Sequence, residues 1–108
     1  MNKIPLTTKS VKGIRIRLTE QRWNHIIRRH KELKNHATKV LFTVEKPDLV
    51  IVRRVDALIA IKYFREIKPH YLIVAYREIN DVDGFIITAH FISNIHDIRR
   101  RRIVWQKS

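Results

Sequence analysis

His25 and His30 lie five residues apart in a segment of helical spacing, and Tyr63, Arg65, Thr88 and His90 lie near the ends of apolar runs. These are the side chains with which the chain could do acid–base chemistry near neutral pH. Opening a ribonucleic phosphodiester without a metal takes a base for the 2′-hydroxyl, an acid for the departing 5′-oxygen, and fixed positive charge around the phosphorus. His25, beside Arg22 and Arg29 at neighbouring helical positions, is the first candidate for base or acid. His30 falls in the apolar stripe of the same segment, as its partner or as a packed, orienting residue. Arg65 could hold a phosphate through two parallel N–H donors, with Tyr63, Thr88 and His90 completing the set. The same residues also admit a plainer reading, in which polar strand ends meet solvent and the histidines pack.

Other chemistries find less support. Cysteine is absent, which removes thiolate nucleophiles, thiolate metal sites and disulfides. The histidines show no zinc-binding spacing, and Asp81 and Asp83 fall in INDVDG, where Asp and Gly suit a turn. A sparse Pro47-Asp48 … Glu66-Ile67-Lys68 pattern could in principle hold a magnesium ion and polarise a water, as in restriction-type nucleases. No cofactor is expected. Arg99, Arg100, Arg101 and Arg102 form a basic run that could grip phosphates, with Trp105 near enough to stack on a base.

These residues must be positioned by a helix followed by a sheet. Residues 18–33 (LTEQRWNHIIRRHKEL) predict a helix with Thr19 as N-cap and an apolar stripe of Trp23, Ile26, Ile27, His30 and Leu33. Ile14, Ile16 and Leu18, alternating with Arg15 and Arg17, predict a short strand before it, and a second helix is expected from Lys39 to Glu45, ended by Pro47. Then the period changes to two. Leu49 to Arg54, Ala57 to Glu66, Tyr71 to Glu78 and Gly84 to Ser93 are four β-rich runs joined by short links, which favour antiparallel neighbours. Alternation puts Tyr63 and Arg65 on one face of their strand, and groups Ile86, Thr88, His90 and Ile92 on one face of the last. The expected fold is therefore α+β, with N-terminal helices packed on a four-stranded antiparallel β-sheet in a single domain, 1–108. Residues 1–13 read as a leader and 94–108 as a basic C-terminal segment.

Charge points to the partner class. Twenty-three Lys and Arg against ten Asp and Glu leave a formal +13 on 108 residues, a balance that suits a polyanion and nucleic acid above all. Arg22, Arg29, Arg53, Arg54, Lys62 and the Arg99–Arg102 run are the candidate nucleic-acid contacts. The opening MNKIPLTTKS lacks an apolar signal core and no apolar run is long enough to span a bilayer, so a cytoplasmic location and no membrane partner are expected.

In order along the chain, Leu18-Thr19, Arg22-Trp23, His25-Ile26, Arg29-His30, Tyr63-Phe64-Arg65 and Gly84 to Phe91 (GFIITAHF) resemble the barnase, EndoU, colicin and RelE-like ribonuclease superfamily. The likeness is to its small phage- and toxin-associated branches, with their LTxxRWxHIxxRHPE helix, YxR strand and GxxITAxF strand. It covers residues 14 to 92. Lys31 stands where that pattern has Pro, and His90 where an aromatic such as Tyr is usual, so His90 either adds an imidazole or replaces a tyrosine with another task. The resemblance implies metal-independent RNA cleavage through a 2′,3′-cyclic phosphate, RNA as partner, and in many members a toxin neutralised by an antitoxin or immunity protein. The sequence also admits two other readings: a non-catalytic nucleic-acid-binding module, and a metal-dependent DNase using Asp48, Glu66 and Lys68.

Overall fold

Thr19 turns a strand into a helix. Its backbone is extended (φ −78°, ψ 156°) and its side chain accepts the Arg22 N–H at 3.1 Å, satisfying one of the free donors of the first turn. In this computed structural model, which describes residues 6–108, the helix that follows is α1 (Glu20–Arg29). It stops at His30, whose φ of −132° and ψ of 75° leave the helical region, and the chain makes a short 3-10 turn (Lys31–Leu33) before α2 (Ala37–Glu45). Trp23, Ile26, Leu33, Val40 and Val44 line the inner side of this helical layer.

The sheet departs from expectation. It contains β1 (Leu6–Lys9), β2 (Arg15–Leu18), β3 (Leu49–Arg54), β4 (Ala57–Tyr63), β5 (Tyr71–Glu78), β6 (Asp83–Ile92) and β7 (Ile103–Gln106). Their order in space is β1-β2-β6-β5-β4-β3-β7. The protein is α+β, but the four-stranded antiparallel sheet with N-terminal helices is overturned by a seven-stranded mixed sheet. Two strands precede the helices, and a third, one-turn helix, α3 (His96–Arg99), follows β6. Three causes account for the difference. The LTTK of β1 is too short and polar to read as a strand, so part of the supposed leader is ordered edge; residues 1–5 of that leader lie outside the described residues. β7 pairs with β3 through Val50–Trp105 and Ile51–Ile103, which turns the supposed basic tail into an outer strand. And β2 runs parallel to β6, a partner far along the chain that local pattern cannot reveal.

Both faces of the sheet are buried, by two different connections. The path from β2 to β3 carries α1 and α2 across one face, over Val74, Tyr76, Ile86 and Phe91. The path from β6 to β7 carries α3 across the other, where Ile95 and Ile98 pack against Ile51, Ile59, Ile61 and Ile73. Each such aliphatic side chain is worth about 1.5–3 kcal/mol when removed from water. A register shift between Ala75 and Tyr76 pairs Ala75 with Thr88 but Tyr76 with Ile86, leaving Ile87 as an extra residue in β6. The bulge corrects the expected alternation. Ile86 joins Ala89 and Phe91 under the helices, whereas Thr88 and His90 share the opposite face with Ala75 and Ile73.

The β2–β6 junction is held by charge and by a glycine. Arg17 donates two hydrogen bonds of 3.0 Å to the Asp83 carboxylate, and these bonds, with Arg15 at 3.7 Å, hold Asp83 below the usual carboxylate range. Gly84 sits between β2 and β5 where a Cβ would collide with the Arg77 carbonyl and stand 2.7 Å from Ile16 Cδ1. Gly84→Ala should therefore cost about 1–3 kcal/mol in chemical denaturation, the usual penalty of overpacking. A loss below about 0.5 kcal/mol would mean that the junction yields without strain.

Candidate active site at the end of strands β4, β5 and β6

From Ile86 onward β2 no longer pairs with β6, and α1 runs beside that stretch. The cap residue of α1 thereby meets a strand residue: the rings of His30 and His90 stack with centroids 5.1 Å apart and planes 18° from parallel. Burial holds the His90 pKa below the ordinary imidazole value, the nearby His30 adds to that, and Glu32 acts weakly against it. Glu32 Oε2 lies 3.8 Å from His30 Nδ1, an ion pair whenever His30 carries a proton. Rings this close share one proton far more readily than they hold two, and they leave no room for a phosphate between them. A reacting group must approach from the sheet side.

On that side stands a second group. Tyr63 is paired across the sheet with Tyr71, and Tyr71 with Ile92. The rings of Tyr63 and Tyr71 meet edge to face at 5.3 Å, and His70 lies against Tyr63 at 5.0 Å. His70 Nδ1 is 3.0 Å from the Phe64 carbonyl oxygen, which can only accept, so Nδ1 carries the hydrogen and Nε2 is left for chemistry. His90 is opposite Ile73, so Tyr71 is its diagonal neighbour on the same face, about 7–8 Å away by sheet geometry. The imidazole of His90 and the Tyr63–His70–Tyr71 group therefore share one face at one end of the sheet.

Of the residues singled out from the sequence, His30, His90 and Tyr63 are thus brought to one end of the sheet, and Thr88 lies on the same face two residues from His90. Arg65 is not on a strand: β4 ends at Tyr63, the Phe64 N–H donates to the His70 carbonyl at 2.7 Å, and Arg65 stands exposed in the turn so closed. His25 is not brought there. It is exposed in a shallow cleft lined by Thr19, Gln21, Arg22 and Arg28, all from α1 and its cap. Tyr76 is fully buried under the helices, with its hydroxyl unpartnered and its pKa pushed up by burial and by Glu78. His70 and Tyr71 are the residues that sequence reasoning missed. The only available signal was their adjacency at the start of β5, and its meaning depends on the pairing with Tyr63.

The basic residues separate into groups. Arg22 and Arg29 follow the outer arc of α1. Arg53, Arg54 and the stretch Arg100 to Arg102 gather at the opposite end of β3 from Leu49, where Arg101 donates to the Arg53 carbonyl at 2.9 Å and Arg102 accepts from the Val52 N–H. Arg99 closes α3, and its side chain lies outside the described residues. Lys62 is engaged by the Lys46 carbonyl at 2.8 Å and by Asp48 at 3.7 Å. Asp48 also binds the Tyr63 N–H and Lys107, while Glu66 meets Lys39 at 3.9 Å, so each carboxylate of the sparse PD…ExK pattern has a lysine partner. No helix among the described residues is long and apolar enough to cross a membrane.

No protein-family model matches the chain, and neither a curated protein nor a solved structure matches it.

His90 binds a proton less readily folded than unfolded, so the unfolded chain takes up the proton first as pH falls below about 6.5. Its contribution is complete above that pH and is lost on acidification toward the folded pKa. The melting temperature should fall between pH 8 and pH 5.5, about the ordinary imidazole range, and His90→Gln should flatten that fall. Equal slopes in both proteins would remove His90 as the titrating group.

Proposed function

We propose that this chain is a metal-independent endoribonuclease that cleaves RNA by attack of a 2′-hydroxyl on the adjacent phosphate, leaving a 2′,3′-cyclic phosphate and a 5′-hydroxyl. The observation that carries the reading is a half-buried, neutral-leaning His90 on the same face and at the same end of the sheet as the Tyr63–His70–Tyr71 group. His90 takes the 2′-hydroxyl proton, with His30 stacked against it to share the charge that develops. His70, doubly protonated at the outset with its Nδ1–H held by the Phe64 carbonyl, gives its Nε2 proton to the departing 5′-oxygen; the proton taken up by His90 then leaves to solvent and one from solvent restores His70. Tyr63 offers its exposed hydroxyl to the phosphate, and Arg65 in the adjoining turn supplies positive charge. The net charge of +13 and the ordered motif resemblance to small ribonuclease toxins support the same reading. A toxin role would give an acidic inhibitor protein a complementary surface to cover.

Incubation with total RNA in EDTA, followed by end-group analysis, tests this. Cyclic phosphate ends should form, and His90→Ala and His70→Ala should each slow cleavage by about a hundredfold or more. His25→Ala should stay within about twofold of wild type, an effect too small to mark an interaction made in the transition state. Because His90 is the base, the acid limb of the kcat/KM profile should lie below about 6.5, the ordinary imidazole value. Wild-type rates in both the His90 and His70 variants would sink the assignment. RNA left intact by the wild-type protein would favour a binding module.

A further inference from the structure

A second feature adjoins the candidate site and is used by none of the chemistry above. Between the C-terminal end of α2, the β1–β2 turn and β7 lies a cleft of about 790 Å³, whose lining includes Lys9, Lys46, Lys62, Lys107, Phe42 and Trp105. Four lysines line it, against the carboxylate of Glu45 in the lining and Asp48 beside Lys62 and Lys107. Its apolar surface is aromatic and accessible. Phe42 is 42% exposed, although a phenylalanine in an ordinary packed helix would be turned inward, and Lys62 Nζ stands 5.0 Å from its ring centroid. Trp105 is half-buried on the other wall.

The placement of this cleft matters as much as its lining. Lys62 and Tyr63 are consecutive on β4, so the cleft and the candidate active site lie on opposite faces at the same end of that strand. Asp48 joins them: its Oδ2 accepts the Tyr63 N–H at 2.9 Å, and its Oδ1 lies 3.7 Å from Lys62 and 3.3 Å from Lys107. The Arg100 to Arg102 stretch, by contrast, is at the other end of the sheet.

We propose that this cleft binds the single-stranded RNA that leads away from the scissile phosphate, its bases on Phe42 and Trp105 and its phosphates on the lysines. Phosphate charge matches the ammonium groups, and every base has a face that an aromatic ring can stack on. A duplex does not fit, because its bases are already stacked on each other and cannot reach the rings. The choice of RNA as ligand rests on the ribonuclease reading, but the cleft can be tested without turnover.

The probe is a short single-stranded 2′-O-methyl oligouridylate, which lacks the attacking hydroxyl and cannot be cleaved. Binding is followed by anisotropy across a salt series and by quenching of Trp105, since Trp23 is only 8% exposed. Lys46→Gln combined with Lys107→Gln should weaken binding about tenfold and reduce the salt slope by about 1.4, two phosphate contacts at about 0.7 each. On cleavable RNA the same variant should raise KM and leave kcat unchanged. Phe42→Ala, at an exposed position, should weaken binding and spare the salt slope, and it serves alone if the double variant fails to fold. Unchanged affinity in folded variants, or equally tight binding of a duplex of the same length, overturns the proposal. Binding that depends on the lysines in a protein that cuts no RNA sinks the ribonuclease reading and leaves the cleft standing. Cleavage that depends on His90 with lysine-independent binding does the reverse.

Discussion

A sheet with isoleucine and valine on both faces must be kept from water on both, and in this chain no single layer of helices can do it. Val74, Tyr76 and Phe91 point to one side, and Ile51, Ile61 and Ile73 to the other. Removing either cover would expose several side chains, each contributing about 1.5–3 kcal/mol, which is comparable to the whole stability of a domain this size. The chain therefore crosses its own sheet twice, once with α1 and α2 and once with α3. Other features follow from that path. The first crossing brings the cap of α1 to the unpaired stretch of β6. The second takes the chain from Ile92 to the far edge, where β7 adds to β3. The two crossings also bring distant parts together, since Val11 from the β1–β2 turn and Trp105 from β7 line the same clefts.

The candidate site is a by-product of where strands stop. β4 ends at Tyr63 and β5 begins at Tyr71, so the turn between them needs a closing contact, and His70 supplies it through both its backbone carbonyl and its ring. β6 continues past the end of β2, so His90 has a helix cap rather than a strand for its neighbour. Groups that terminate regular structure are the ones whose polar atoms are not consumed by it, which is why acid–base candidates collect there. The price is that none is deeply shielded; His90, the one held below the ordinary imidazole value by burial, is itself only half-buried.

Much of the backbone was legible in advance. Leu49–Arg54 and Tyr71–Glu78 have the bounds their alternation implies, and Thr19 caps α1 as its side chain and position suggest. Those features depend on near neighbours in the chain. What escaped depends on distant ones: the parallel pairing of β2 with β6, the pairing of β7 with β3, and the bulge at Ile87 that separates Ile86 from His90. The site divides the same way. His30, Tyr63 and His90 announce themselves by type, but His70 and Tyr71 acquire a role only once Tyr63 is opposite Tyr71. His25 stands out in the sequence for its company on the helix, Arg22 and Arg29, but the cleft it lines is made by α1 and its cap alone, with no residue of the sheet.

β7 is the last strand on its side of the sheet, with Ile103 and Val104 each more than two-fifths exposed. A short apolar strand with an open edge is a template on which another molecule's strand can grow. Here it is bracketed, by Arg100, Arg101 and Arg102 before it and by Lys107 after it. Two copies meeting edge to edge would bring these cations together with little negative charge between them. Positive charge at this end of the sheet therefore opposes such edge-to-edge pairing whether or not a ligand is bound.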